Sequence, residues 1–372
     1  MAAVLAEQCT NAGIRRIHNH DIMGCTAEGV SGNNLYSGRV LGASEPGDII
    51  QLHPALAPEW PAIREHYRRI GLTHAEDVRW DTDRSLLSRY PTHAVSVFFF
   101  GSAEHAARPD QDWFRTVETI NCKNAFMEAA NRLGVPVPTT MPYAAVADID
   151  AAGIAAAPYP CYLKAAVSVS GVGIYRCEDQ DALSQAVRRF DPGTPVQIQQ
   201  EVIADTFLNM QYEAGSEGLH RLATTEQILD GCVHQGNRFP ARCEPWHVVE
   251  PMARWLHSNG MRGVFAFDVA VVARDGTYDY LAIECNPRYN GASYPTAVAN
   301  KLGIDSWLAR VFETDHRTLS AIDLEGIEYD SVTGEGVVLV NWGPILVGKI
   351  LVLLAGDAAA QARLTQALNE RL

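Results

Sequence analysis

Asp268 and Glu284 are the residues whose placement most suggests chemistry. They stand on the two arms of a hairpin-like stretch, Gly263 to Tyr294, and the second acid is followed by Asn286-Pro287-Arg288. Val264 to Ala273 is apolar and β-prone, Arg274-Asp275-Gly276-Thr277 carries an Asp-Gly turn signal, and Tyr278 to Cys285 resumes a strand. With a three-residue loop, Asp275 to Thr277, Arg274 faces Tyr278 and Asp268 faces Glu284. A two-residue loop moves the pairing by one, so this register is an inference. Facing side chains have Cβ atoms roughly 4.5–5.5 Å apart. Two carboxylates at that distance repel unless something positive holds them. Mg²⁺ is the natural cation, because it takes hard oxygen ligands and shares them with phosphates. The strand period of two puts Asn286 on the face of Glu284. The planar fork of Arg288 would reach the same phosphates. The bland alternative is a surface hairpin with two solvated acids, which gives no reason for Asn-Pro-Arg to follow directly.

Two lysines upstream belong to elements that could face this hairpin. Asn121 to Gly134 reads as a helix with Asn121 as N-cap, apolar spacing at Phe126, Ala129, Ala130 and Leu133, and a terminal glycine. Lys123 lies in its first turn, where the helix dipole disfavours a cation unless an anion meets it. Val135-Pro136-Val137-Pro138 then forces an extended exit. Lys164 sits inside the strand Cys161 to Lys164. It precedes a small-residue loop, Ser168 to Gly173, and a second strand, Ile174 to Arg176. Such a loop lets backbone N–H groups approach phosphate oxygens, although it equally suits a plain hairpin turn. Asp179 to Phe190 is an amphipathic helix, and Pro195 to Ile203 is a strand.

The first 115 residues read as an open α/β domain. Asp48 to Leu52 and Ala94 to Gly101 resemble buried parallel strands, with helical stretches at Pro61 to Ile70 and Asp83 to Tyr90 between them. His18-Asn19-His20-Asp21 looks like a metal site on paper, but a strand-end loop with ordinary histidines suits it better. The glycines at 24, 29, 32 and 38 do not form GxGxxG, which argues against a dinucleotide fold. Beyond the hairpin, Thr296 to Leu302 reads as a helix, Val337 to Asn341 and Gly348 to Ala355 as strands, and Asp357 as the cap of a last helix. These form a small C-terminal subdomain on this reading.

Composition bounds the function. The chain has 372 residues, a net charge of −14 and 47% hydrophobic content, which suits a globular protein and argues against nucleic acid or an anionic membrane as partner. The cysteines are scattered without a Cys-x-x-Cys pair, as expected of reduced thiols in a cytoplasmic protein. The N-terminus lacks a basic-then-apolar order, and no apolar run is long enough to span a bilayer.

The order of these features resembles the ATP-grasp superfamily. A helix lysine is followed by Gly-Val-Pro-Val-Pro, and a strand lysine by a Gly/Ser loop. A strand rich in Gln and Glu comes next, then an Asp-bearing strand and Ile-Glu-Cys-Asn-Pro-Arg. The resemblance covers about residues 116 to 305. It implies an α/β (α+β) protein with an N-terminal open α/β domain (1–115), a connecting helix (116–143), a mobile α+β lid (144–203), an antiparallel-sheet core (204–330) and the C-terminal part (331–372). It implies ATP with Mg²⁺, or Mn²⁺ in its place.

Lys123 and Lys164 become the nucleotide-phosphate lysines, and Ser168, Ser170, Gly171 and Gly173 belong to the lid loop over the phosphates. Asp268, Glu284 and Asn286 hold the metal, while Arg288 and Lys164 act on the transferring phosphoryl group. Gln200, Glu201, Val202 and Ile203 match the adenine hinge. Many relatives have Glu where this chain has Gln200, and a ribose-binding Glu where it has Phe207, so Asp205 or Glu201 becomes the ribose candidate. His234, Arg238 and Arg262 are further substrate candidates. The implied activity joins a small-molecule acid to an amine through an acyl phosphate. A carrier-protein thiol is the alternative acceptor, and a non-catalytic nucleotide-binding protein the alternative class. A homodimer is compatible with either. The chain shows no recognisable biotin-carrier segment.

Overall fold

The computed structural model describes residues 14–26, 31–168, 173–230 and 233–372. The N-terminal part contains β1 (Arg16–Asn19), β2 (Ile49–Gln51), α1 (Trp60–Arg69), β3 (Asp77–Arg79) and β4 (Ala94–Val97). All pairings in this sheet are parallel, in the order β3-β2-β1-β4. Ile17, Ile50 and Leu52 are fully buried, as the apolar runs require. Asp83 to Tyr90, expected to be helical, is instead a 3₁₀ turn over Arg84–Arg89. Asp83 accepts from the Ser85 N–H at 2.9 Å, and Ser88 Oγ donates to the Ser85 carbonyl at 2.7 Å. These short polar side chains bond the local backbone in competition with an α-helix.

α2 (Ser102–Ala107), α3 (Gln111–Asn121) and α4 (Lys123–Leu133) lead to the second unit. Asn121 ends α3 and does not cap α4, because Cys122 turns extended between them. The Lys123 N–H that a cap would have satisfied donates to the Ala166 carbonyl at 2.7 Å. Gly134 closes α4 in the left-handed region, φ 69°.

The second unit comprises β5 (Thr140–Tyr143), α5 (Ala151–Ala156), β6 (Cys161–Ala165), β7 (Ile174–Cys177), α6 (Gln180–Val187) and β8 (Val196–Gln200). Its antiparallel sheet runs β5-β8-β6-β7. Thr140–Tyr143, read from sequence as connector, is therefore one of its strands. The unit has its own core of Cys161, Leu163, Leu183, Val196 and Ile198. Asp150 and Asp179 cap its helices by accepting from Gly153 N and Ala182 N, both at 2.8 Å.

The remaining elements are β9 (Thr206–Gly215), β10 (Gly218–Asp230), β11 (Val233–Phe239), α7 (Trp246–Ser258), β12 (Gly263–Arg274), β13 (Thr277–Asn286), α8 (Ser293–Leu302), β14 (Trp307–Glu313), β15 (Gly336–Asn341), β16 (Lys349–Ala355) and α9 (Ala358–Asn369). Among the described residues, every strand here joins one antiparallel sheet, β13-β12-β9-β10-β11-β14-β16-β15. The last two strands thus extend the core sheet and do not form a separate subdomain. Their side chains explain why: Val337, Val338, Val352 and Leu353 are fully buried and share a core with Leu41, Ile50 and Tyr67 of the N-terminal part. No helix among the described residues is long and apolar enough to cross a membrane.

Candidate functional site

The hairpin of β12 and β13 reaches the expected pairing by an unexpected route. Arg274 faces Thr277 across a two-residue turn, with Asp275 at φ 44° and Gly276 at φ 84°. Positive φ at both central residues is the type I′ arrangement that matches strand twist. This alone would have moved Asp268 off Glu284. A bulge at Ile283 inserts one residue into β13, because Val269 faces Ala282 while Asp268 faces Glu284. The shorter turn and the bulge cancel at the two acids.

Asp268 is held by amides from three strands. It accepts from Asn209 Nδ2 at 2.8 Å and Gln227 Nε2 at 2.6 Å on one oxygen, and from Asn286 Nδ2 at 3.0 Å on the other. Burial and the facing Glu284 charge nevertheless push its carboxyl up to about 7. Glu284 goes the other way. Burial opposes its charge, but Lys123, then Arg288 and Lys164, hold it below the usual carboxylate range. Lys123 Nζ lies 3.0 Å from Glu284 Oε2. That contact is the anion which a first-turn lysine needs. Arg288 donates to Asn286 Oδ1 at 2.6 Å. Sequence reading missed Asn209 and Gln227.

The second unit supplies the opposite wall. A cleft of about 130 Å³ is lined by Lys123, Phe126, Ser168, Ile174, Glu284, Asn286 and Arg288. Ser168 and Ile174 flank the loop whose Ser170 and Gly171 lie outside the described residues. Gly173 takes φ 74° and its carbonyl accepts from the Ala165 N–H at 2.9 Å, which closes the loop's base. Lys164 donates to Gln199 Oε1 at 2.6 Å across the same sheet.

The donor chemistry suits a divalent cation. Asp268, Glu284 and Asn286 bring hard oxygens together, and the repulsion felt by Asp268 is what such a charge would relieve.

Solved structures resemble this arrangement over nearly the whole chain. N5-carboxyaminoimidazole synthetase from Staphylococcus aureus, solved with ADP, matches over 96% of each chain at TM-score 0.60 and 11% identity. The biotin carboxylase domain of Hydrogenobacter thermophilus 2-oxoglutarate carboxylase, solved with Mg-ADP, ADP and bicarbonate, matches over 96% of this chain and 89% of that one at TM-score 0.61 and 14% identity. The chain has the ATP-grasp fold. An L-amino acid ligase from Bacillus licheniformis also matches, over 87% of this chain and 96% of that one, at TM-score 0.53 and 15% identity. No family model and no curated protein sequence matches the chain.

Within the ATP-grasp frame the other sequence candidates separate. Gln200 ends β8 and Glu201 follows it, their N–H groups donating to the Thr139 and Pro160 carbonyls at 2.9 and 2.8 Å. The Glu201 carboxylate accepts from Arg176, at 2.6 and 2.9 Å, and from Tyr162 at 3.2 Å. Val202 is half-buried, and Ile203 and Asp205 are exposed beyond the strand. His234 bonds Asn237 at 2.6 Å and lies against Gly291, where a Cβ would meet its ring at 2.7 Å. That places it beside the loop following Arg288. Arg238 is exposed on β11. Arg262 lines a larger groove of about 1200 Å³ with Arg16, Arg108 and Glu213, which touches the site only near Arg288.

The His18–Asp21 cluster packs the N-terminal part on the core. His18 Nε2 meets Asp48 at 2.8 Å, and His20 meets Tyr294 at 2.8 Å and Ser96 at 3.1 Å. Among the described residues, no three His, Cys, Asp or Glu side chains are grouped to hold a metal.

Proposed function

We propose that the chain is an ATP-dependent carboxylate–amine ligase. The observation that carries this reading is the pairing of Asp268 with Glu284 beside Lys123 and Arg288, on a cleft bounded by Ser168 and Ile174 of the second unit. A protein that only held a nucleotide would not need facing, half-buried acids next to a guanidinium.

A carboxylate is a poor acyl donor because oxide would have to leave. Its oxygen takes the γ-phosphoryl group of ATP, releasing ADP and giving an acyl phosphate. The amine then attacks the acyl carbon, the carbon–nitrogen bond forms, phosphate leaves and the amine loses a proton. Asp268, Glu284 and Asn286 would hold Mg²⁺, or Mn²⁺, which supplies charge neutralisation at the β and γ oxygens. Arg288 and Lys164 stabilise the charge on the group in transit. Lys123 orients the nucleotide phosphates and holds Glu284 ionised. Ser168, Ser170, Gly171 and Gly173 bind the phosphates, with β5 to β8 as the closing lid. Closure excludes water that would hydrolyse the acyl phosphate. Gln200 to Ile203 and Asp205 face the nucleoside. Glu201 supports that hinge through Arg176.

The test is ADP formation by the purified chain with ATP, Mg²⁺ and a panel of amino acids, alone and in pairs, with bicarbonate as a separate acid. Release that requires an amino acid and an amine supports the reading. Release that requires bicarbonate alone points to a carboxylating relative, and no ATP binding by calorimetry sinks both.

A further inference from the structure

We propose that Arg39 binds a second substrate carboxylate, one that is not phosphorylated, at the junction of the N-terminal part and the core. What that substrate is rests on the ligase reading above. Arg39 lies in the 3₁₀ segment Asn33–Ala43 and is only 7% exposed. Its Nε and Nη2 are buried with no hydrogen-bond partner. Among the described residues no carboxylate pairs with it, and a guanidinium keeps its charge at any working pH. Three rings surround it instead. Its central carbon lies 4.4 Å from the Phe98 ring, 4.5 Å from Tyr294 and 5.2 Å from Tyr36. Ring faces attract a cation but accept none of its in-plane hydrogen bonds.

The two orphaned atoms are on the edge with which this chain binds carboxylates. Arg68 holds Glu65 through Nε at 2.8 Å and Nη2 at 2.6 Å. Arg69 holds Glu328 through the same atoms at 2.7 and 2.8 Å, and Arg176 holds Glu201 at 2.6 and 2.9 Å. The rings fix the guanidinium plane, and a planar carboxylate fits in that plane against two parallel donors. A tetrahedral phosphate takes the same two donors but keeps further oxygens out of that plane, where only ring faces would meet them. Phe98 ties this edge to the chemistry, since the Arg288 guanidinium also lies over its ring, at 5.8 Å. Phe98, Tyr36 and Arg288 are each partly exposed, and Phe98 and Arg288 line the larger groove of about 1200 Å³. Arg39 and Arg288 thus bracket one aromatic side chain, one on the N-terminal part and one at the phosphoryl-transfer site.

Three measurements test this. First, Arg39→Met, of similar length, should melt no lower than the parent, since it removes a buried charge without a partner. A drop of many degrees would make Arg39 structural and overturn the proposal. Second, millimolar malonate should raise the parent's melting temperature by roughly 2 °C or more and leave Arg39→Met unmoved. Equal shifts in both proteins, or a larger shift with inorganic phosphate than with malonate, contradict it. Third, kcat/KM for ADP formation should fall roughly 100-fold in Arg39→Met with amino acids. The loss should vanish when the responsible carboxylate is replaced by its amide, on the acceptor in one arm and, with a dicarboxylic donor, on its non-reacting carboxyl in the other. A loss that persists with both amides overturns the proposal. If the parent forms no ADP at all, the ligase reading fails, while the first two measurements still decide Arg39.

Discussion

Glu284 carries two opposing demands at once: it faces another acid and it neutralises a lysine. Glu284→Gln keeps the shape but removes the charge that Lys123 and a metal would share. ADP formation should drop by roughly 100-fold or more, while the circular dichroism spectrum stays that of the parent. Full activity would take Glu284 out of the site. Lys123→Met should mainly weaken nucleotide binding, read as Kd by calorimetry. Lys123 could be anticipated because a first-turn lysine needs an anion, and Asp268 and Glu284 because only a cation reconciles them. Asn209, Gln227 and Arg39 could not. The amides look like ordinary strand residues until β9, β10 and β12 are laid side by side, and Arg39 looks like any surface arginine until three rings enclose it.

At the scale of elements, α1 is fastened to the segment before β15 through Glu328. This carboxylate accepts from His66 Nδ1 at 2.6 Å and from both atoms of the Arg69 fork. His66 Nε2 accepts from the Leu339 N–H at 3.0 Å, so the ring is neutral with its proton on Nδ1. Burial opposes the Glu328 charge, yet His66 and Arg69 hold it down to about 2. A depressed carboxylate contributes stability above its unfolded value of 4.5 that is lost as pH falls through the folded value. Acid unfolding should therefore steepen between pH 4.5 and about 2, with up to about 3 kcal/mol at stake, and Glu328→Gln should flatten that window in urea melts. Gly236→Ala tests the seam of the large sheet. A Cβ there would overlap the Ala309 carbonyl oxygen, so β11 must part from β14 at a cost of roughly 2–4 kcal/mol, seen as a lower urea midpoint. Local patterns made the hairpin, α4, the strand around Lys164 and the Asp357 cap legible. The junction of β14, β15 and β16 with the core sheet was not, because a strand's distant partners leave no mark on its own periodicity.

Across the whole molecule, two hydrophobic cores join the N-terminal part to the large sheet, while the unit of β5 to β8 keeps a core to itself. That separation suits a lid. Mg²⁺ with a non-hydrolysable ATP analogue at about 100 times its Kd should stabilise the chain by about 2.7 kcal/mol. Asp268→Asn should abolish most of that gain. Hydrogen exchange should slow along β6 and β7 on binding, and unchanged exchange there would remove the lid from the mechanism. The central claim is that a carboxylate becomes an acyl phosphate on the Asp268–Glu284 face. Its most direct test is to supply ATP, Mg²⁺ and amino acids labelled with oxygen-18 in the carboxylate, then weigh the phosphate released. One heavy oxygen should pass from the acid into inorganic phosphate for each ADP formed. Unlabelled phosphate accompanying ADP and product would contradict the account.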